Sequence, residues 1–373
     1  MEHREIRSLP IRPSLLGFGC MRFPTLEGGA IDEERARAMI DRAFEGGVNY
    51  YDTAYFYHSG ASENFIRRAL AGKPRESYYL TSKLPTVMVH SMEDAKRLFG
   101  EQMDRLGGER LDFYLFHNLN GERWRSMVEL GVLDWYLDLQ RQGAFRYTGF
   151  SFHGPYEEFR EILTARKWDC CQIQLNYMDT HEQAGMEGYR LTEELGVPLI
   201  VMEPVKGGAL SRPPEEVSAL FQSAAPGRSA ASWALRWVAG LPNVMTVLSG
   251  MSTMEQVEDN LATFSPFQPL EGAELAAVEQ AAALFRQRMR NGCRGCGYCM
   301  PCPAGVQIPE SFKLWNEWAM YGDRQRSRTK WREIPEEHRP QRCVSCGACE
   351  EQCPQKLSIR ADLVRMASEM DGL

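Results

Sequence analysis

Eight of the 11 cysteines in this 373-residue chain fall into two short runs after Asn291. The first is Cys293-x2-Cys296-x2-Cys299-x2-Cys302-Pro303, and the second is Cys343-x2-Cys346-x2-Cys349-x3-Cys353-Pro354. Such runs bind metal through their thiolates. Three cysteines two residues apart let one tight loop wrap three corners of an iron–sulfur cubane. Small residues, Gly295, Gly297, Gly347 and Ala348, let the loop pass close to the cluster sulfurs. Structural zinc is the competing chemistry. Zinc ribbons, however, present two separated Cys-x2-Cys pairs, not four cysteines in one run, so iron–sulfur ligation is the expectation. The remaining Cys20, Cys170 and Cys171 lie in predicted strands and are expected to behave as small core hydrophobes.

The second run resembles the bacterial ferredoxin run in spacing, residue for residue, and the first is one residue short of it. In two-cluster ferredoxins the fourth cysteine, followed by proline, reaches the other cluster. The resemblance therefore implies two [4Fe–4S] clusters, one held by Cys293, Cys296, Cys299 and Cys353, the other by Cys343, Cys346, Cys349 and Cys302. The intervening residues, with Phe312, Leu314, Trp315, Trp318 and Met320 at helical spacing, resemble an α-helical ferredoxin module. Residues 286–373 carry 15 Lys and Arg against 11 Asp and Glu, a net of +4, which leaves the preceding residues at −11. Two oxidised cubanes of about −2 each offset that basic excess. Arg324, Arg326, Arg328, Lys330 and Arg332 read either as a solvated face or as a surface for an acidic electron-transfer partner.

The rest of the chain must position whatever these clusters serve. The whole chain's 43% hydrophobic and 25% charged composition is that of a soluble globular protein, and its net charge of −7 gives no basic face for nucleic acid. No secretory h-region opens it, and no stretch reaches the roughly 18 apolar residues that span a bilayer. A cytoplasmic protein with reduced thiols and no membrane partner is the expectation. Eight short apolar runs alternate with amphipathic stretches: Leu15–Cys20, Val48–Asp52, Tyr78–Ser82, Leu111–His117, Arg146–Ser151, Cys170–Leu175, Pro198–Met202 and Val244–Leu248. Runs apolar on both faces suit buried parallel strands. The stretches between them start at residues such as Asp32 and Ser91 and stop at Gly46-Gly47 and Gly107-Gly108, as helices do. The predicted fold class is α/β, a (β/α)8 TIM barrel over residues 1–285, followed by a mostly α-helical ferredoxin domain over 286–373. An open doubly wound sheet competes, but no glycine-rich phosphate turn follows the first strand. Glu5–Ser14 is expected to form a small hairpin that plugs the barrel bottom.

Barrel chemistry sits at the C-terminal strand ends. Those ends carry Asp52, Lys83 and His117, with Tyr57 five residues after Asp52. Here the sequence resembles the aldo-keto reductases: in Asp52-Thr53-Ala54-Tyr55-Phe56-Tyr57, in Gly60-Ala61-Ser62-Glu63, in Thr81-Ser82-Lys83, in Asp112-Phe113-Tyr114-Leu115-Phe116-His117, in Gly149-Phe150-Ser151 and in Ser249-Gly250-Met251-Ser252 with Asn260. The resemblance covers most of residues 1–265. It implies carbonyl reduction or alcohol oxidation with a nicotinamide cofactor. Tyr57 would donate the proton, Lys83 would lower its pKa, Asp52 would hold Lys83, and His117 would orient the carbonyl. Taken singly, each has a plain structural explanation: a cap, a loop aromatic, a solvated charge, a core histidine. Together they point to catalysis.

By the same resemblance Ser151 and Gln172 would hold the nicotinamide carboxamide. Met202, Pro204, Val205, Lys206 and Gly208 would cover the pyrophosphate. Ser249, Gly250, Met251, Ser252, Gln256 and Asn260 would line the adenosine end. The chain departs from the family pattern in three places. Phe152 stands where an Asn is usual, Met202 where an aromatic usually stacks on the nicotinamide, and Met251 and Gln256 where a base usually meets the 2′-phosphate. NADP and NAD both remain open. Phe56, Phe152, His153 and Trp124 are candidate substrate-pocket residues. Nicotinamide delivers electron pairs and clusters pass single electrons; a flavin is the usual converter, and no flavin motif is legible. Three readings follow: an oxidoreductase on a small carbonyl or alcohol that is coupled to its two clusters or carries them as structural elements, a ferredoxin-linked electron-transfer enzyme in which nicotinamide is not the donor, or a redox-sensing or binding protein without turnover.

Overall fold

A computed structural model describes residues Met1–Leu373. Eight strands pair in parallel and close on themselves: β1 (Leu16–Gly19), β2 (Tyr50–Asp52), β3 (Tyr79–Pro85), β4 (Leu111–Leu119), β5 (Phe145–Phe152), β6 (Cys170–Gln174), β7 (Leu199–Met202) and β8 (Val244–Ser249). β1 pairs with both β2 and β8, which makes the sheet a barrel and excludes the open alternative. Each strand coincides with one of the expected apolar runs. Alternate side chains face the interior and the surrounding helices. Tyr50, Phe113, Leu115, Cys170, Ile200, Met245 and Leu248 form one buried cluster with Leu9 and Ile11. Outward residues such as Leu80, Tyr114, Phe116 and Phe150 belong to the larger core beneath the helices.

The expected N-terminal hairpin reduces to one antiparallel bridge, His3 with Ser14. Its apolar residues still plug the barrel, because Leu9 and Ile11 are buried in the interior cluster. Pro10 and Pro13 lack the N–H groups that a ladder needs, which limits pairing. The Arg4 guanidinium donates to the carbonyls of Ala239, at the end of helix Ala230–Ala239, of Leu241 in the loop after it and of Val244 at the start of β8. Helix starts follow capping chemistry. Asp32 accepts from the Arg35 N–H ahead of Glu33–Glu45, and Ser91 from the Asp94 N–H ahead of Met92–Arg105. No helix is long and apolar enough to cross a membrane.

The chain divides into two compact units, Met1–Gly207 with Ala231–Glu271, and Gly208–Ala230 with Gly272–Leu373. The first is the barrel. In the second, helices Ile308–Tyr321, Arg324–Glu333 and Ile359–Asp371 gather Val306, Phe312, Trp315, Trp331, Leu363 and Met366 into a separate core. The indole N–H groups of Trp315 and Trp331 reach Glu369 and Asp371. The same unit contains helix Glu215–Ala224 and helix Ala273–Gln287, with Arg288 on Glu216 at 2.6 Å and Arg228 on Glu274 at 2.7 Å.

Gly149 sits in β5 between β4 and β6, opposite Leu115 and Cys170. A Cβ there would lie 2.6 Å from Leu115 Cδ2, 2.7 Å from Cys170 Sγ and 2.8 Å from the Cys170 carbonyl. Gly149→Ala is expected to cost about 1–3 kcal/mol by overpacking. Anaerobic urea denaturation followed by tryptophan fluorescence checks this; an unchanged midpoint would show that the strands give way freely.

Candidate active site and cysteine cavities

The end of β2 and the loop after it converge on Lys83 of β3. Its ammonium donates to Asp52 Oδ1 at 2.5 Å, to the Thr53 carbonyl at 2.8 Å and to the Tyr57 hydroxyl at 3.5 Å. Lys83 and Asp52 are buried, and Tyr57 is partly exposed. Tyr57 opens a single 3₁₀ turn, Tyr57–Gly60, in which His58 and Ser59 take left-handed φ values of 51° and 54°. That conformation costs energy for side-chain-bearing residues and must be held from outside. The Phe23 N–H does so by donating to His58 Nε2 at 3.2 Å. His117, at the end of β4, faces Tyr57 edge-on with ring centroids 6.0 Å apart, and Phe56 lies 6.3 Å from it. The four residues singled out in the sequence therefore share one site.

Their electrostatics divide the roles. Burial pushes the Tyr57 hydroxyl above its ordinary pKa, and Lys83 pulls against that shift without cancelling it. The phenol stays protonated near neutral pH, as a proton donor must. Burial opposes charge on Lys83, but Asp52 and Tyr57 outweigh it and keep the ammonium. Burial raises Asp52 while Lys83 draws it back, and Asp52 Oδ2 has no hydrogen-bond partner. Burial, with Lys83, His153 and Arg123 in support, lowers His117 to about 3. Its imidazole is neutral and able to donate one N–H.

The residues expected around a nicotinamide are partly arranged for it. Ser151 and Gln172 are register partners on β5 and β6. Gln172 is buried, its Nε2 meets Met202 Sδ at 3.5 Å, and its Oε1 has no partner. A carboxamide NH2 is the kind of donor that would satisfy that oxygen, so these residues fit the group. Ser151 Oγ accepts from the Asn118 N–H at 2.8 Å. At the end of β8, Asn260 donates to Ser249 Oγ at 2.8 Å and Gln256 accepts from the Ser252 N–H at 2.7 Å. Met251 is buried. Pro204 and Val205 form the turn after β7, and Lys206 is ion-paired with buried Asp179 at 2.6 Å. Gly208 is counted with the second unit.

In the second unit the cysteines ring two cavities. One, of about 190 Å³, is lined by Cys302, Cys343, Cys346, Cys349 and Cys299. A smaller one is lined by Cys293, Cys296, Cys299 and Cys353. The fourth cysteine of each run thus faces the cavity of the other run, the crossing expected from the ferredoxin resemblance. Thiolates spread around a cavity suit a cubane, which binds each at a different iron. Asn291 Oδ1 accepts the Cys293 N–H at 2.8 Å, and Asn316 Oδ1 accepts the N–H groups of Arg290 and Asn291, so the first run starts from a fixed backbone.

Residues 15–283 match the family model of the aldo/keto reductases. The chain belongs to the aldo/keto reductase family. Residues 292–357 match a 4Fe-4S dicluster domain, so this aldo/keto reductase carries a ferredoxin-type module beyond its barrel. Among curated relatives, L-galactose dehydrogenase of Arabidopsis thaliana is 23% identical over 313 residues, covering 76% of this chain and 94% of its own. Versiconal hemiacetal acetate reductase of Aspergillus parasiticus is 24% identical over 261 residues, 61% and 74% respectively. Among solved structures, the holo form of a Bacillus halodurans aldo-keto reductase aligns with a TM-score of 0.63 at 26% identity, over 75% of this chain and 96% of that one. A Klebsiella pneumoniae aldo-keto reductase in complex with NADPH aligns at 0.60 and 20% identity, over 75% and 95%, a likeness of fold.

Two expected pocket residues of this aldo/keto reductase lie elsewhere. Phe152 is buried against Phe159, and Trp124 is buried against Trp168, both under the helix layer. Phe56 and His153 are exposed beside the site. The structure also adds Arg22. Its Cγ lies 2.7 Å from where a Gly250 Cβ would stand, and its carbonyl accepts from Ser252 Oγ at 2.7 Å. A cation two residues beyond the β1 run was visible in the sequence, but its approach to the β8 end was not. His117 binds its proton more weakly folded, at about 3, than at the ordinary 6.5. It therefore adds stability above pH 6.5 that is lost as pH falls toward 3. Proton NMR of His117, assigned with a His117→Gln variant, should show no titration between about pH 5 and 8; an inflection near 6.5 would refute the neutral imidazole.

Proposed function

We propose that this chain is an aldo/keto reductase that interconverts a small carbonyl compound and its alcohol, using NADP or NAD, with two [4Fe–4S] clusters in its C-terminal module. The reading divides function near residue 286, reduction in residues 1–285 and single-electron storage in 286–373. The observation that carries the reductase half is the Lys83 contact to both Asp52 and Tyr57, beside a neutral His117.

A bound nicotinamide supplies the hydride for such a reduction. The chain's own groups do the rest. The neutral imidazole of His117 donates to the carbonyl oxygen and fixes its direction. The Tyr57 phenol delivers its proton to that oxygen as negative charge develops there. Lys83 stabilises the phenolate left behind, and Asp52 keeps Lys83 charged and in place. Ser151 and Gln172 are the residues that would hold the carboxamide. Gly250, Met251, Ser252, Gln256 and Asn260 would hold the adenosine end, with Ser249 oriented by Asn260. Met202, Pro204 and Val205 would border the pyrophosphate. Lys206, paired with Asp179, would shape that loop more than neutralise a phosphate.

Cys293, Cys296, Cys299 and Cys353 would hold one cluster, and Cys343, Cys346, Cys349 and Cys302 the other. Clusters of this type supply one-electron transfer. A second reading, in which electrons come from a protein partner, is favoured by exposed Tyr298, Met300 and Val344 beside the cysteine runs.

Tyr57→Phe should lower kcat for carbonyl reduction about 10²–10⁴-fold with KM little changed; full activity would remove Tyr57 as donor. Anaerobically purified protein should contain about eight iron and eight sulfide per chain. Zinc in place of iron would overturn the cluster assignment. Mixing with NADH or NADPH under argon then separates the two electron sources, since cluster bleaching requires flow from nicotinamide.

A further inference from the structure

Arg123 stands in an unfavourable place for a structural cation. It lies in the first turn of helix Gly121–Glu129, where the helix dipole disfavours positive charge and acids are preferred. Its backbone N–H is used by the cap residue Asn120, at 2.9 Å. Its Nη1 donates to the carbonyl of Asn118 at 2.7 Å. Asn118 follows His117 directly and takes a left-handed φ of 57°, so this contact anchors the guanidinium one residue from the site. The neighbouring Arg125 pairs with Glu161 at 3.3 Å, whereas no carboxylate lies within ion-pair distance of Arg123. Arg123 is half-buried, and its charge reaches both His117 and His153. The acid that acts on this group is Glu203, and it acts on His153. A guanidinium has five N–H donors in a planar fork, of which one is committed here.

We propose that Arg123 recognises an anionic group on the substrate, so that the compound reduced at Tyr57 and His117 is an oxo acid and the product a hydroxy acid. A carboxylate on the Arg123 fork turns the rest of the molecule toward the site, leaving its carbonyl for Tyr57 and His117. The proposal rests on the reductase reading and adds the substrate class to it. An Arg needed only to tie down the Asn118 carbonyl would affect charged and neutral substrates alike.

The test compares a length series of ω-oxo acids with n-alkanals of matching length, which differ only in the carboxylate. Wild-type protein should favour the acids by about tenfold or more in kcat/KM at the best length. Arg123→Gln should raise KM for the acids about 10–100-fold, hold kcat within a few fold, and leave the alkanals unchanged. Arg123→Lys should keep part of the preference, as a point charge without the fork. Retained cluster absorbance and circular dichroism show that each variant is folded. Calorimetry with the matching ω-hydroxy acids reads the same site without turnover, and Arg123→Gln should weaken that binding similarly. Arg123-dependent binding without turnover of either series would support the anion site and sink the reduction. Equal losses for acids and alkanals, or none, overturn the proposal while leaving the reductase reading intact.

Discussion

The buried contact between Lys83 and Asp52 is the constraint on which the barrel mouth turns. Removing two charges from water costs several kcal/mol each, and their attraction repays that only in good geometry. Here the geometry comes from strand register. β2 and β3 pair Asp52 with Thr81, which brings Lys83 within reach of Asp52 and of the Thr53 carbonyl. Breaking one partner of such a pair costs about 3–5 kcal/mol, because the other is left charged and buried. Asp52 Oδ2 already lacks a partner. The pair is thus a poor choice for stability alone. It makes sense as a device that keeps an ammonium charged beneath a phenol, at a point where burial would otherwise neutralise it.

The same constraint separates what could be read from the sequence and what could not. The barrel was legible because each strand is a local apolar run, and closure needs no special residue beyond eight repeats. The tetrad was legible because its members sit at or just after strand ends. The cysteine crossing was implied by the resemblance to two-cluster ferredoxins, whose fourth cysteine before proline reaches the other cluster. Phe152 and Trp124 were misplaced for a simple reason. Side chains alternate along a strand, so Ser151 and Phe152 face opposite ways, and Phe152 packs with Phe159 under the helices. Trp124 lies on the buried face of its helix beside Met127. The Lys206 pairing with Asp179 spans 27 residues and leaves no local mark. The N-terminal hairpin shrank to a bridge because two prolines deplete its donors.

The chain joins an aldo/keto reductase barrel to a ferredoxin-type module. On the proposed reading hydride delivery to a carbonyl held by Tyr57 and His117 moves two electrons in one event, and each cubane moves one. On the proposed reading two clusters together hold the equivalent of one hydride, which is a reason for two rather than one. The crossing of Cys302 and Cys353 between the runs adds a physical link. On the same reading each run completes the other's ligand set, so neither run holds a whole cluster alone. Cys299 lines both cavities, which places the two sites side by side. Side-by-side clusters exchange electrons readily, and the module would act as one two-electron store.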